Sequence, residues 1–256
     1  MTLASLRLPS LLAATTLLVT AASAKVTEKF SQTHPLAATG TVSVTNMNGN
    51  VDVIAWDKAE VSIEAEKSAR DEDALKRIEI IVEASADRIA IKTKHHKADS
   101  SSWFSRNGDN GAVRYTLRVP AQLARLKIEA MNSNITTENV HANVKLETMN
   151  GRIRATGLTG DAELDTMNGR ISASFDRLTG TQKVNVDTMN GQCEIFVPAD
   201  ANARVAASSL NGRVSSELPM TIEKSSRRSL RGSLGQGEAT VSMDSMNGSL
   251  SIRARS

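Results

Sequence analysis

The sequence predicts an all-β fold: a single-chain β-solenoid of the parallel β-helix kind, with short rungs of about 18–22 residues and Asn-Gly corners. Three observations carry this. First, one turn signal recurs seven times, as Met47-Asn48-Gly49, Met131-Asn132-Ser133, Met149-Asn150-Gly151, Met167-Asn168-Gly169, Met189-Asn190-Gly191, Leu210-Asn211-Gly212 and Met246-Asn247-Gly248. Second, the positions around it form apolar columns. Three residues before the Met or Leu stand Val44, Ile128, Leu146, Leu164, Val186, Ala207 and Met243; four after stand Val51, Ile135, Ile153, Ile171, Cys193, Val214 and Leu250. Third, the flanking segments, such as Val144-Lys145-Leu146-Glu147-Thr148, alternate with the two-residue period of half-buried strands.

The first 24 residues read as a secretory signal peptide. Arg7 gives a charged n-region, Leu11 to Val19 an apolar h-region, and Ala22-Ser23-Ala24 a small-residue cleavage site before Lys25. The h-region is too short to span a bilayer, and no later stretch approaches the roughly 20 apolar residues of a membrane helix. The expectation is a periplasmic or secreted protein, soluble after cleavage, with no transmembrane segment. Cys193 is the sole thiol, so no internal disulfide can form. Its place in an apolar column suggests a buried, inert group.

Residues 25–256 read as one domain, with an irregular N-terminal β part over 25–119 and regular repeats over 120–256. In the first part Thr41 to Ala55 forms the first Asn-Gly unit, Val61 to Lys67 a strand, and Arg70 to Arg77 one or two helical turns. Ile78 to Glu83 and Arg88 to Lys92 are strands joined at Ser85-Ala86-Asp87, and Tyr115 to Val119 is a strand ending at Pro120. The polar loop from His95 to Asn110 carries Trp103-Phe104, either a plug over the core edge or an exposed anchor. His95-His96 has no third ligand nearby and reads as a solvated pair.

In the repeats, Asn-Gly supplies the positive φ of a tight bend. Such a bend closes a hairpin or turns a solenoid corner; the 18-residue steps from Met131 to Met149 to Met167 favour the corner. Stacked Asn amides are expected to hydrogen-bond from rung to rung. Asn48, Gly49, Asn150, Gly151, Asn168, Gly169, Asn190, Gly191, Asn211, Gly212, Asn247 and Gly248 are therefore assigned to architecture.

Two residues before each Met or Leu lie Thr45, Glu129, Glu147, Asp165, Asp187, Ser208 and Asp244. Stacking would align four neighbouring carboxylates, an arrangement that could attract calcium. Three residues after the Met stand Asn50, Asn134, Arg152, Arg170, Gln192, Arg213 and Ser249, whose guanidinium groups are expected to pair with those carboxylates. No Asp-rich calcium loop is present, so neither metal nor cofactor is expected. A net charge of +3 with interleaved acids and bases does not point to nucleic acid. The 3% aromatic content suits stacked aliphatic columns. The segment Pro219 to Gly237 breaks the rung spacing; with Arg227, Arg228 and Arg231 it caps an edge or offers a basic patch to anionic polymers.

Val119-Pro120, Val197-Pro198-Ala199-Asp200-Ala201, and the ending from Gly232 to Gly237 followed by Val241 to Ile252 give the chain a resemblance to the bacterial putative-adhesin family, a β-solenoid domain of unknown function. The resemblance spans roughly Phe30 to Ile252 and implies an envelope or secreted protein with an adhesive or scaffolding role; it supplies no catalytic residues. The sequence thus predicts a non-enzymatic module that binds a cell-envelope glycan or protein, with Trp103-Phe104 as its anchor. Self-association through the solenoid ends is a further expectation. A polysaccharide lyase or hydrolase is the enzymatic alternative.

Overall fold

The two-residue alternation carries through to the backbone of the computed structural model, which describes residues 25–96 and 111–255. Strands β1 (Val26–Pro35), β2 (Thr41–Asn48), β3 (Val51–Trp56) and β4 (Glu60–Ala69) lead to the helix α1 (Glu72–Lys76). Asp71 caps that helix, its carboxylate accepting a hydrogen bond from Ala74 N at 2.7 Å. β5 (Ile78–Ala84) and β6 (Arg88–His95) form the antiparallel hairpin expected around Ser85-Ala86-Asp87, and β7 (Ala112–Pro120) ends at the expected proline.

The repeats follow as β8 (Gln122–Asn132), β9 (Ile135–Glu138), β10 (His141–Asn150), β11 (Ile153–Leu158), β12 (Ala162–Asn168), β13 (Ile171–Phe175), β14 (Lys183–Asn190), β15 (Cys193–Val197), β16 (Ala203–Ser209) and β17 (Val214–Ser216). β18 (Thr221–Ser226), β19 (Ser229–Leu234), β20 (Ala239–Asn247) and β21 (Leu250–Ala254) complete the chain.

All these strands fall into two large, mostly parallel sheets. One runs β1-β4-β7-β3-β9-β11-β13-β15-β21-β17 and the other β18-β19-β16-β20-β14-β12-β10-β8-β2-β6-β5. Every Met-Asn or Leu-Asn turn joins a strand of the second sheet to a strand of the first. The two strands beside a turn therefore do not pair with each other, as they would in a hairpin; each pairs in parallel with its counterparts in neighbouring repeats. Leu146 stands in register with Ile128 and Leu164, and Ile153 with Ile135 and Ile171.

Stacking order departs from chain order at the C-terminal end. β20 and β21 lie between β14–β15 and β16–β17, so the turn at Met246 stacks between those at Met189 and Leu210. The cause is the segment that breaks the spacing. It folds into the antiparallel hairpin β18–β19 beyond β16, and the chain returns to fill the place beside β14.

The core lies between the sheets. Its two central files are the apolar columns of the sequence: Ile128, Leu146, Leu164, Val186 and Met243 from one sheet, Ile135, Ile153, Ile171, Cys193 and Leu250 from the other, all essentially without solvent exposure. The many aliphatic side chains buried in this way supply the main drive to fold.

The glycines of the turns meet the expected conformation only in part: Gly49, Gly151 and Gly191 have positive φ (+106°, +155° and +157°), whereas Gly169, Gly212 and Gly248 do not. What excludes a side chain there is the neighbouring repeat. A Cβ on Gly169 would lie 1.7 Å from the Gly151 carbonyl oxygen, and one on Gly248 1.5 Å from that of Gly191. At Gly169, Gly212 and Gly248 close backbone stacking, rather than φ, demands glycine; at Gly49, Gly151 and Gly191 both do. Ser133 fills the same place in one turn, and nothing in the structure explains why a side chain is admitted there.

Candidate functional site

Parity along the second sheet decides which residues face water. The column three residues before each Met points inward, and so does the column one before, which holds the buried Thr148, Thr166, Thr188, Ser209 and Ser245. The acidic column and the methionines therefore share the outer face. Met131, Met149, Met167, Met189 and Met246 are 40–47% exposed, and Leu210 is 60% exposed. Parallel register stacks these side chains in one file, in the order Met131, Met149, Met167, Met189, Met246, Leu210.

A file of carboxylates runs beside them. Glu129, Glu147, Asp165, Asp187 and Asp244 occupy successive strands in register, with Thr45 and Ser208 at the two ends. The sequence suggests four adjacent carboxylates; the inserted β20 adds Asp244 as a fifth. Together the two files line a shallow groove of about 660 Å³ along the sheet.

The expected arginine partners are not the ones found. Among the described residues the acidic file pairs with lysines one step back on the same face: Lys127 with Glu129 at 2.7 Å, and Lys145 with Glu147 at 2.8 Å and Glu163 at 2.5 Å. Arg152 and Arg170 instead line a hollow beyond the turn, where Arg170 donates to Gln192 at 2.6 Å. The corner sets residues before and after it on opposite sides of the asparagine file, out of reach of each other.

Charge is unevenly balanced along this file. The carboxylates of Glu147 and Glu163 hold the Lys145 ammonium firmly protonated. Burial, the neighbouring Asp187 and Glu147 push Asp165 up to about 6. Asp187 is raised as well, first by partial burial and then by Asp244, while a hydrogen bond with Asp165 works in the opposite sense. Oxygens of Glu147, Glu163 and Asp165 lie within 4.8 Å of one another, and the Lys145 ammonium supplies a cation to two of them.

The asparagines form the expected ladder. Each side-chain amide donates to the previous one: Asn132 to Asn48, Asn150 to Asn132, Asn168 to Asn150, Asn190 to Asn168, Asn247 to Asn190 and Asn211 to Asn247, all at 2.8–2.9 Å. Asn48 continues it to the Gly111 carbonyl at 3.2 Å. The ladder runs beside the methionine file, one residue further along each turn, and the parallel pairing of the strands sets the spacing of that file.

The other sequence-derived sites are placed as follows. Trp103 and Phe104 lie outside the described residues, as do residues 1–24. The segment that carries them leaves the second sheet at His95 and enters the first at Ala112, beside the turn at Met47. There a buried network ties Tyr115 Oη to Thr93 Oγ1 at 2.7 Å and Thr93 Oγ1 to Asn46 Oδ1 at 3.0 Å. His96 bonds Glu79 at 2.8 Å on the surface. Arg227 and Arg228 sit in the turn of the β18–β19 hairpin and Arg231 on β19, all exposed. Arg228 donates to the Leu210 carbonyl at 3.1 Å, and Val214 N bonds the Arg227 carbonyl, so this segment covers the edge of the sheet. Cys193 is fully buried, and burial pushes its thiol up to about 12.

In the sequence the methionines stand out only as part of a turn signal, which hides the file they form as a surface. The signal that could have found it is parity: an odd offset from an inward column places a residue on the outward face.

This architecture defines a class before it defines a protein: an all-β chain of stacked, in-register strand pairs with one continuous outer groove. Residues 17–253 match the Toastrack DUF4097 family, and the chain belongs to it. The chain is similar to the crystal structure of a putative cell adhesion protein from Clostridium sporogenes, with a TM-score of 0.51 and 10% identity over 89% of this chain and 100% of that one. It is also similar to a putative adhesin from Bacteroides fragilis, with a TM-score of 0.33 and 10% identity over 88% of this chain and 97% of that one. At 10% identity the likeness to the Clostridium sporogenes protein concerns the fold alone. No curated protein matches the chain.

Proposed function

We propose that this chain is a non-enzymatic β-solenoid module of the bacterial periplasm or cell exterior, adhesin-like or scaffolding in role, that binds a component of the cell envelope along its outer face. One observation carries the reading: the file of exposed methionines and Leu210 that runs unbroken across six stacked strands. Contiguous apolar surface beside charged groups marks an interaction site, and methionine adapts to partners of varied shape.

The polysaccharide lyase or hydrolase alternative has less support. Glycoside hydrolysis needs two carboxyl groups at least about 5 Å apart, with one poised on each side of the sugar bond. Here the carboxylates recur strand by strand at the regular ~4.8 Å spacing along an open face, with no local break in the repeat that singles out an acid and a base.

The test is co-sedimentation of the 25–256 protein with isolated cell envelopes and with insoluble peptidoglycan. Two variants accompany it, Met167→Lys/Met189→Lys on the groove and Trp103→Ala/Phe104→Ala on the loop. Saturable binding lost by the first variant supports the reading with the groove as contact. Loss by the second alone moves the contact to the loop, and absence of binding by the parent protein rejects an envelope role.

A further inference from the structure

The groove has a chemistry more specific than "apolar". On one side stand the methionines and Leu210, and two residues back along each strand stand Glu129, Glu147, Asp165, Asp187 and Asp244. Lys127 and Lys145 answer Glu129 and Glu147 at one end. At the other end Lys224 and Arg231 share a neighbouring hollow with Asp244. In the middle, Asp165 and Asp187 have no ion pair among the described residues. A ligand that covers the methionines must therefore bring positive charge to that flank or leave two carboxylates desolvated and unpaired beside it, which opposes binding. An anionic polymer is disfavoured by the same charges.

The repeat of the surface also selects a shape. Side chains recur along the groove at the strand spacing, about 4.8 Å. An extended peptide laid across the strands repeats its same-face side chains every ~6.7 Å and drifts out of step within two strands. An α-helix laid along the groove repeats each turn at about 5.4 Å, so over the five steps from Met131 to Leu210 it drifts by only ~3 Å. Flexible methionine side chains absorb a mismatch of that size.

From this charge pattern and spacing we propose that the groove binds a cationic amphipathic α-helix of a partner protein or peptide. Its apolar stripe rests on the file from Met131 to Leu210, and lysine or arginine side chains along one flank meet Asp165 and Asp187. The groove is ~24 Å long, the length of about 16 helical residues. This inference rests on the reading of the outer face as a binding surface and names the class of partner.

The experiment is titration of the 25–256 protein into a fluorescently labelled Leu/Lys peptide of about 16 residues, with leucines at i, i+3, i+4 and i+7 spacing. A scrambled peptide of the same composition and a Leu/Glu analogue serve as comparisons. The expected result is saturable binding of the amphipathic peptide with a gain of helix by circular dichroism, binding at least about tenfold weaker for the scrambled peptide, and none for the Leu/Glu analogue. Met149→Ser/Met167→Ser/Met189→Ser should weaken binding by roughly tenfold or more. Asp165→Asn/Asp187→Asn should weaken it and flatten its salt dependence. These side chains are partly exposed, and a melting temperature no lower than the parent's shows that each variant folds. Equal binding of the scrambled peptide, full binding by the serine variant, or no binding at all overturns the proposal. The two readings fail separately: envelope binding that depends on the methionines without peptide binding rejects the helix and keeps the envelope role, and the reverse pattern rejects the envelope role and keeps the helix.

Discussion

Replacing Gly169 by alanine tests the physical account of the stack at its tightest point. The added Cβ would sit 1.7 Å from the Gly151 carbonyl oxygen, where ordinary contact begins at 3.4 Å. The missing distance is roughly a third of the ~4.8 Å between strands, and neither neighbour is a flexible side chain that can move aside. The turns must part, which strains Gly151 N to Asn168 O at 3.1 Å, Gly169 N to Asn190 O at 3.0 Å and the ladder bonds of Asn168. A loss of about 3–5 kcal/mol is expected, as for severe overpacking with broken hydrogen bonds. Gly180→Ala separates this effect from backbone conformation. Gly180 has φ +67° and open space for 4 Å around the place a Cβ would take, so alanine there should cost only the left-handed penalty, about 1–2 kcal/mol. Equilibrium urea unfolding followed by circular dichroism compares the two. If Gly169→Ala is no more destabilised than Gly180→Ala, close stacking is not what selects glycine in these turns.

Three further outcomes follow from the same geometry. Asn168→Ala removes one donated and one accepted ladder bond, whereas Asn211→Ala removes one; with exposed partners that can rehydrate, losses of about 1–2 and 0.5–1 kcal/mol are expected in urea unfolding, and equal losses would contradict an additive ladder. Asp165 holds its proton up to about 6 in the folded chain against an ordinary 3.8, so stability contributed by the protonated form is lost as pH rises through that window. Asp165→Asn should therefore melt higher than the parent at pH 7.5 and close to it near pH 4; because the carboxyl is half open to solvent, the gain is only ~1 kcal/mol, and no gain at pH 7.5 would contradict the crowding of the acidic file. The Cys193 thiol should resist a thiol reagent such as dithionitrobenzoate at pH 8 and react fully in denaturant, since burial both blocks it and holds it protonated; rapid reaction of the folded chain would show that the core is open there.

Much of the fold is legible because the stack repeats local signals. Apolar columns at fixed offsets from Asn-Gly predict the inward faces from Val44 and Val51 onward, and the amide ladder follows from stacking asparagines. The hairpin β5–β6, the short helix and the strand before Pro120 are legible from local patterns too. The methionine groove is only half legible: its outward parity is in the sequence, but a residue that recurs beside a turn looks like part of the turn. The lysine partners of the acidic file escape sequence reasoning because the corner's direction decides which side chains share a face, and that direction is not a property of either strand alone.

By itself the sequence determined the two-residue alternation, the inward columns and the positions of the turns, because these depend on residues within a few places of one another. Only the tertiary structure decided the order of stacking. Nothing local places the turn at Met246 between those at Met189 and Leu210; that depends on the β18–β19 hairpin occupying the edge beyond β16 and leaving β20 to pair between β14 and β16. The insertion brings Asp244 beside Asp187 and Met246 beside Met189, so the length of the groove and the unbroken run of five carboxylates come from contacts between segments distant in the chain. The glycine requirement belongs to the same category, since the carbonyl that excludes a side chain at Gly248 is that of Gly191, which is its neighbour only once the chain has folded.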